Sequence, residues 1–276
     1  MAVWLRRGTV SLLVWAGAVL MMIPLIWMIS ASFKPSSEVF QFPIRWIPDH
    51  PTLTGYKVLF SSKRYNFLLF YWNTFVTAFM TIVGVVVVGG MTAYAYAKIR
   101  FVFRDYIFLF LIATLAIPFQ VVMIPQFIIF RHIGLLDTLT SQWIGAFLNP
   151  VMGIFLQRQY FMTLSDELID SAKIDGCGHF QILWRIVIPI SKPVLATVIL
   201  LYFVSAWNNY ETALLYLRST DRFVVSIAVR VFSGEMVSNY AAVMAASVIS
   251  IVPLVVLLLF GQRYIISGIT SGAVKG

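Results

Sequence analysis

Charge is what this sequence has least of. Only 11% of its 276 residues are Asp, Glu, Lys or Arg, against about one quarter in an average soluble domain. Hydrophobic residues make up 60%, and the mean hydropathy is +0.88, more apolar material than a soluble core needs. Cysteine is nearly missing, and Cys177, standing alone, excludes an intramolecular disulfide. No G-x-x-x-x-G-K-[ST] run occurs, so no phosphate loop binds ATP on this chain. Metal patterns of the H-E-x-x-H or paired C-x-x-C kind are absent, and His50, His132 and His179 lie far apart, as loop residues rather than ligands. Nucleophile, base and metal ligands nowhere cluster, so the chain reads as no enzyme and as holding no cofactor of its own. The net charge of +9 reads as basic flanks beside apolar spans rather than as a nucleic-acid surface.

What remains is long apolar sequence. Six windows hold no Asp, Glu, Lys or Arg: 8–33, 65–97, 106–130, 138–157, 193–210 and 236–262. About 20 helical residues cross a hydrocarbon core roughly 30 Å thick. A backbone in lipid must satisfy its own hydrogen bonds, so each window is expected to be a helix. The weak alternation of a membrane β-barrel is missing. Expected spans are 10–33, 72–97, 106–129, 141–158, 193–217 and 240–262, giving an all-α integral membrane protein with six transmembrane helices. The first follows Arg6 and Arg7, but its apolar run of about 20 residues exceeds the 7–15 of a signal peptide, so it reads as a retained span.

An even number of spans puts both termini on one side of the membrane. The termini, the 98–105 turn and the 158–192 loop carry 11 Lys and Arg; the opposite loops carry 9, and so small a bias leaves the orientation open. Pro118 and Pro125 are expected to bend the third span, Pro150 the fourth and Pro253 the sixth. Gly84, Gly89, Gly90, Ala93 and Ala97 permit close helix approach in the second. No inverted repeat relates the two halves, unlike many secondary transporters.

The segment 158–192 differs from the rest, with 8 of the chain's 31 charged residues in 35 positions. Ser165 reads as an N-cap followed by Asp166 and Glu167, where the helix dipole favours anions. Leu164, Leu168 and Ala172 recur on one face. Asp170 and Lys173 are spaced to pair for about a few tenths of a kcal/mol, and Gly176 sits where a helix should stop. A second helix is expected to carry Phe180, Leu183, Trp184 and Val187 on one stripe until Pro189 closes it. A short surface helix between two turns suits docking into a partner's groove.

The run Glu167-Leu-Ile-Asp170-Ser171-Ala172-Lys-Ile-Asp175-Gly176-Cys177, followed by Ile186-Val-Ile-Pro189, resembles the EAA loop of bacterial ABC importer permeases, roughly E-L-x-E-A-A-x-x-D-G-A and then I-x-x-P. Phe155-Leu-Gln-Arg-Gln-Tyr-Phe161 is similar to its lead-in. Asp170, Ser171 and Cys177 depart from the pattern while keeping charge sign or small size. Trp207-Asn208-Asn209-Tyr210-Glu211 resembles the W-N-[DE]-[FY] signature of carbohydrate-type permeases, with Asn209 where an acid is common. Gly268-Ile-Thr-Ser271-Gly272-Ala-Val-Lys275-Gly276 resembles the terminus of the smaller, maltose-type subunit. The general likeness covers about residues 70–276.

That resemblance implies a type I importer permease fold. Residues 1–68 form a first helix and an extracytoplasmic loop. Residues 69–266 form a core of five helices with the coupling loop at 158–192, and 267–276 a cytoplasmic tail. It implies a second permease subunit of a different sequence, two cytoplasmic subunits that bind ATP and Mg, and an extracytoplasmic solute-binding protein. Both termini and the coupling loop would face the cytoplasm of a bacterial cell whose inner membrane the chain crosses. Glu167, Asp170, Ser171, Ala172, Asp175, Gly176, Cys177, Ile186 and Pro189 would couple to an ATPase, with Ala172, Gly176 and Cys177 kept small for close docking. Asn208, Asn209 and Glu211 either line the solute pathway or brace its outer end, Glu211 then pairing with a loop Arg. Ser271, Gly272 and Lys275 either insert between the ATPases or fray. The 218–239 loop, with Arg218, Arg222, Arg230 and Glu235, either contacts the binding protein or merely connects spans. The solute is expected to be a sugar or oligosaccharide, with glycerol phosphate, a polyamine or an amino acid as the alternative.

Overall fold

With no water to serve it, a backbone crossing hydrocarbon closes its bonds within a helix, and every regular element among the described residues is helical. The computed structural model describes residues 2–62, 65–235 and 239–273, with side chains over 8–62, 65–231 and 239–261. The helices are α1 Ala2–Ser32, α2 Thr54–Ser61, α3 Phe67–Lys98, α4 Arg104–Ala113, α5 Phe119–His132, α6 Thr140–Leu148 and α7 Val151–Met162. After them come α8 Asp166–Ile174, α9 His179–Ile182, α10 Ile188–Ile190, α11 Lys192–Trp207, α12 Glu211–Tyr216, α13 Val225–Glu235 and α14 Tyr240–Ala273.

Three stretches are each long and apolar enough to cross a bilayer: Gly8–Ser32, Phe67–Lys98 and Tyr240–Gly261. Two bent pairs meet the same test. Arg104–Ala116 and Phe119–His132 meet at 98°, and His179–Ile190 and Lys192–Trp207 at 84°. The first bend falls at Pro118, as its missing N–H predicts. The fourth expected span, 141–158, is divided at Asn149-Pro150 into α6 and α7, each too short to cross alone. Pro125 and Pro253, expected to bend their spans, stand inside continuous helices. The fifth expected span, 193–217, stops at Trp207. The helix that Pro189 is expected to close runs through a π-turn at Leu183–Val187 and ends at Ile190, one residue past Pro189.

The chain forms two compact units. Residues 1–68 and 228–252 make the first. There Ala31, Val39 and Ala241 are buried together, flanked by Trp27 and Met244. α2 lies so close to α14 that a Cβ on Gly55 would stand 2.5 Å from the Ala241 carbonyl oxygen. Along α1, Leu12, Trp15 and Met21 are exposed, as a lipid-facing or subunit-facing span requires.

Residues 69–227 and 253–276 make the second unit, which holds nearly all of α3. In lipid, apolar side chains gain little by exchanging tails for one another, so close packing and polar contacts must hold helices together. α3 supplies both. A Cβ on Gly84 would lie 2.9 Å from the Ala146 backbone of α6, and Gly89 and Gly90 make room for Gln157 of α7. Gln157 is fully buried and donates to the carbonyls of Val85 and Gly153, each at 3.1 Å. At the far end of α3, Asn73 donates to the Asp221 and Phe223 carbonyls at 2.9 and 3.0 Å, and Thr74 accepts from the Val225 N–H at 2.8 Å.

Replacing Gly84 by Val is expected to cost about 1–3 kcal/mol through overpacking, read as a lower midpoint in thermal unfolding of the detergent-purified chain. Gly145→Ala, where a Cβ meets nothing within 4 Å, should not lower that midpoint, since Ala is the better helix former by about 0.5–1 kcal/mol.

Candidate functional site

The loop after α7 is built as a rigid projection. Ser165 is extended and accepts the Glu167 N–H at 3.2 Å, capping α8. Asp166 and Glu167 occupy the first turn and Lys173 the last, both favourable to the helix dipole. The helix ends as Gly176 turns left-handed at φ +82°, its N–H bonding Lys173 and the Cys177 N–H bonding Ala172, at 2.9 and 3.0 Å. This double closure satisfies the last carbonyls. A Cβ on Gly176 would meet nothing within 4 Å, so the backbone angle demands glycine and crowding does not. Asp170 and Lys173 pair at 2.9 Å.

α8 presents two faces. Ile169 and Ala172 are buried against Ala93, Tyr94 and Tyr96 of α3, Phe161 of α7, Ile182 of α9, and Leu183 and Val187. Of the expected stripe, Ala172 is buried and Leu164 packs against this cluster, while Leu168 is exposed and Ile169 takes its place. Ala172 therefore packs inward, against this chain's own core. Glu167, Asp170, Ser171 and Ile174 are exposed at i, i+3, i+4 and i+7, with Ile174 at 87% exposure. Asp175 and Gly176 are exposed beside them, and Cys177 is partly covered. Ile186 packs against the buried cluster and Pro189 lies exposed at the end of its helix.

One cation fastens this projection to the bundle. Lys98, the last residue of α3, has a side chain only 5% exposed; it donates to the Leu164 carbonyl and to Asp166, both at 2.6 Å. That bond and the ammonium charge hold the Asp166 carboxyl below its ordinary range. A lowered carboxylate pKa means the pair is complete above the ordinary value and opens only on acidification through the lowered one. Arg158, nearly buried on α7, reaches Asp105 at 3.4 Å and stands 3.9 Å over the Phe108 ring, linking α7 to the start of α4. Tyr94 hydrogen-bonds the His179 ring at 3.1 Å. Sequence reasoning missed Lys98 and Arg158 as parts of this site, since their partners lie 68 and 53 residues away.

The second candidate site is an open recess of about 610 Å³ lined by Phe119, Ser205, Asn208, Asn209, Tyr210, Glu211 and Thr212. It brings Asn208, Asn209 and Glu211 together. Glu211 does not lie within the fifth span but opens the separate short helix α12. Among the described residues it has no ion-pair partner. Asn208 donates to the Val204 carbonyl at 2.9 Å, the Asn209 carbonyl accepts from Ser226 at 2.8 Å, and Thr212 donates to Gln142 at 3.0 Å. Nearby, Asp137 joins two loops by accepting from the Arg218 and Ser219 N–H groups at 2.9 Å and from the Ser219 hydroxyl. Burial alone would push its carboxyl up, but these donors outweigh it and hold the pKa below the ordinary value.

Ser271 and Gly272 fall within the last turns of α14, where side chains lie outside the described residues, as Lys275 does entirely. The expected 218–239 connector contains a helix, α13. Among the described residues no group of three or more His, Cys, Asp or Glu side chains could hold a metal.

Residues 85–271 match the family model described as "Binding-protein-dependent transport system inner membrane component". The chain is 35% identical over 257 residues to the arabinooligosaccharides transport system permease protein AraQ of Halalkalibacterium halodurans, covering 92% of this chain and 91% of that one. It is 31% identical over 261 residues to the sn-glycerol-3-phosphate transport system permease protein UgpE of Yersinia pestis, covering 92% of each. Its fold is similar to a chain in the crystal structure of a bacterial ABC transporter involved in the import of the acidic polysaccharide alginate. The TM-score is 0.80 at 26% identity, over 93% of this chain and 95% of that one.

Gly176→Ala is expected to loosen the end of α8 by about 1 kcal/mol, the cost of a left-handed side chain, seen as roughly fivefold faster hydrogen exchange at the Cys177 amide. Gly176→Asn, which tolerates that angle better, should fall between the two.

Proposed function

The chain belongs to the family of binding-protein-dependent transport system inner membrane components, and on that premise we propose that α8 is the lever by which a partner ATPase moves it. It is a multi-pass, non-catalytic permease subunit of an ATP-driven importer with six transmembrane segments. The observation that carries the proposal is the division of α8 into an inner face packed on α3, α7 and α9 and an outer face of Glu167, Asp170, Ser171 and Ile174 left uncovered by the described residues. An exposed isoleucine among acidic and small polar residues suits a groove with an apolar floor and basic or polar rims.

Further partners follow from the same reading. Two such ATPases bind ATP and Mg, a second permease of different sequence completes the pathway, and an extracytoplasmic binding protein delivers the solute. The 158–192 loop and both termini then face the cytoplasm, and the tail with Ser271, Gly272 and Lys275 reaches the ATPases. A cycle of this kind is a two-state equilibrium biased from both ends. Moving it from 1:99 to 99:1 takes about 5.5 kcal/mol of differential binding, which several contacts on two ATPases and a binding protein can supply. The fastening of α8 through Lys98 supports transmission, because a loosely hinged helix would dissipate the push before it reached α3.

The solute in this reading is a sugar or oligosaccharide, following the arabinooligosaccharide relative and the polar lining around Asn208 and Asn209, in which Glu211 is the one charged group. Dissolving sugar hydroxyls in hydrocarbon without partners is prohibitively costly, so the recess of Ser205, Asn208, Asn209, Tyr210 and Thr212 is assigned to a wet route through the bundle.

Ile174→Glu tests the lever. Ile174 touches little in this chain, so membrane insertion and thermal stability should match the parent. Uptake and binding-protein-stimulated ATP hydrolysis by the complete importer should fall at least tenfold, as for loss of a buried interface anchor. Parent-level uptake by this variant would remove α8 from the drive train.

A further inference from the structure

Resting on the assignment of the recess to the solute route, we propose that Glu211 makes that route select uncharged solutes over anionic ones. Two helix breaks bound the recess: the bend at Ile117-Pro118 just before Phe119, and the gap at 208–210 between α11 and α12. Unwound backbone inside a membrane protein is tolerated where it lines a water-filled cavity or is buried in protein, so the breaks and the recess explain each other. The lining offers amides at Asn208 and Asn209, hydroxyls at Ser205 and Thr212, and the rings of Phe119 and Tyr210. These groups both donate to and accept from a polyhydroxylated solute, and the two aromatic rings give flat faces for its C–H surfaces.

Glu211 is the single charged group in that lining. It is exposed and, among the described residues, unpaired. Two cations of the neighbouring loop face other groups: Arg218 stands 5.9 Å from the Phe127 ring centre, and Arg222 acts on Asp137. Neither enters the lining. A recess with low-dielectric walls and one sign of charge focuses its field on whatever enters, enriching one sign of solute tenfold or more. One carboxylate belongs at the lower end of that range. An acidic sugar would meet repulsion here with no cation among the described lining residues to offset it, while a neutral one would meet only hydrogen-bonding groups.

The test uses the complete importer in proteoliposomes with Ser205→Cys, with and without Glu211→Gln. Two membrane-impermeant thiosulfonates of similar size serve as probes, one bearing a quaternary ammonium and one a sulfonate. Modification at position 205 is followed by peptide-resolved mass spectrometry, which separates it from Cys177, and each rate is normalised to that of a free thiol. With Glu211 present the cationic probe is expected to react about tenfold faster than the anionic one, and Glu211→Gln should bring the ratio near one. A ratio that Glu211→Gln leaves unchanged overturns the selectivity while leaving the wet route standing. Failure of both probes to reach position 205 overturns the route itself, and the selectivity with it.

Discussion

On the proposed coupling, a membrane body driven from outside itself must receive force through a joint that does not give, and Lys98 is placed to be that joint. The residue sits where α3 leaves the bundle, with its charge turned onto the Leu164 carbonyl and Asp166 at the entrance to α8. Beneath it, Ile169 and Ala172 close an apolar contact with α3, α7 and α9. An exposed ion pair alone adds little to stability. This one is built differently, because the ammonium is sheltered and also satisfies a backbone carbonyl, while a packed cluster holds both partners in register. Caps at both ends of α8 keep the lever itself from fraying.

The same economy governs the interior. Hydrophobicity does not drive helices together in lipid, so α3 relies on glycine notches and on buried polar groups. Gln157, inserted against Gly89 and Gly90, is one such fastening, and Asn73 and Thr74 form another at the opposite end. These polar bonds span between helices that apolar packing alone would leave free to slide. Where the helices break, at Pro118 and after Trp207, the freed backbone gathers around one polar recess.

Much of the lever was legible in the sequence because its signals are local. A Ser before two acids, an i, i+3 charge pair and a Gly at the stop each act within one or two helical turns, and Ser165, Asp170 with Lys173, and Gly176 hold those positions in the structure. In the buried stripe Leu164 and Ala172 hold their places but Ile169 replaces Leu168, because the two are about equally apolar and only the neighbours' positions choose between them. Lys98 and Arg158 were invisible as parts of the site, since their partners are brought near by folding alone. Pro118 and Pro150 announced their breaks, whereas Pro125 and Pro253 did not break their helices. The gap at 208–210 has neither Pro nor Gly to betray it, which is why Glu211 was read as part of a continuous span.

The most direct measurement is disulfide or short-linker cross-linking of Ile174→Cys to a cysteine in the groove of the partner ATPase, in the membrane-embedded complex, with hydrolysis followed before and after reduction. A driven lever predicts a cross-link to the ATP-binding chain that arrests hydrolysis and uptake together and is reversed by reductant. Modification of position 174 solely from the extracytoplasmic side, with no adduct to any ATP-binding chain, would contradict it.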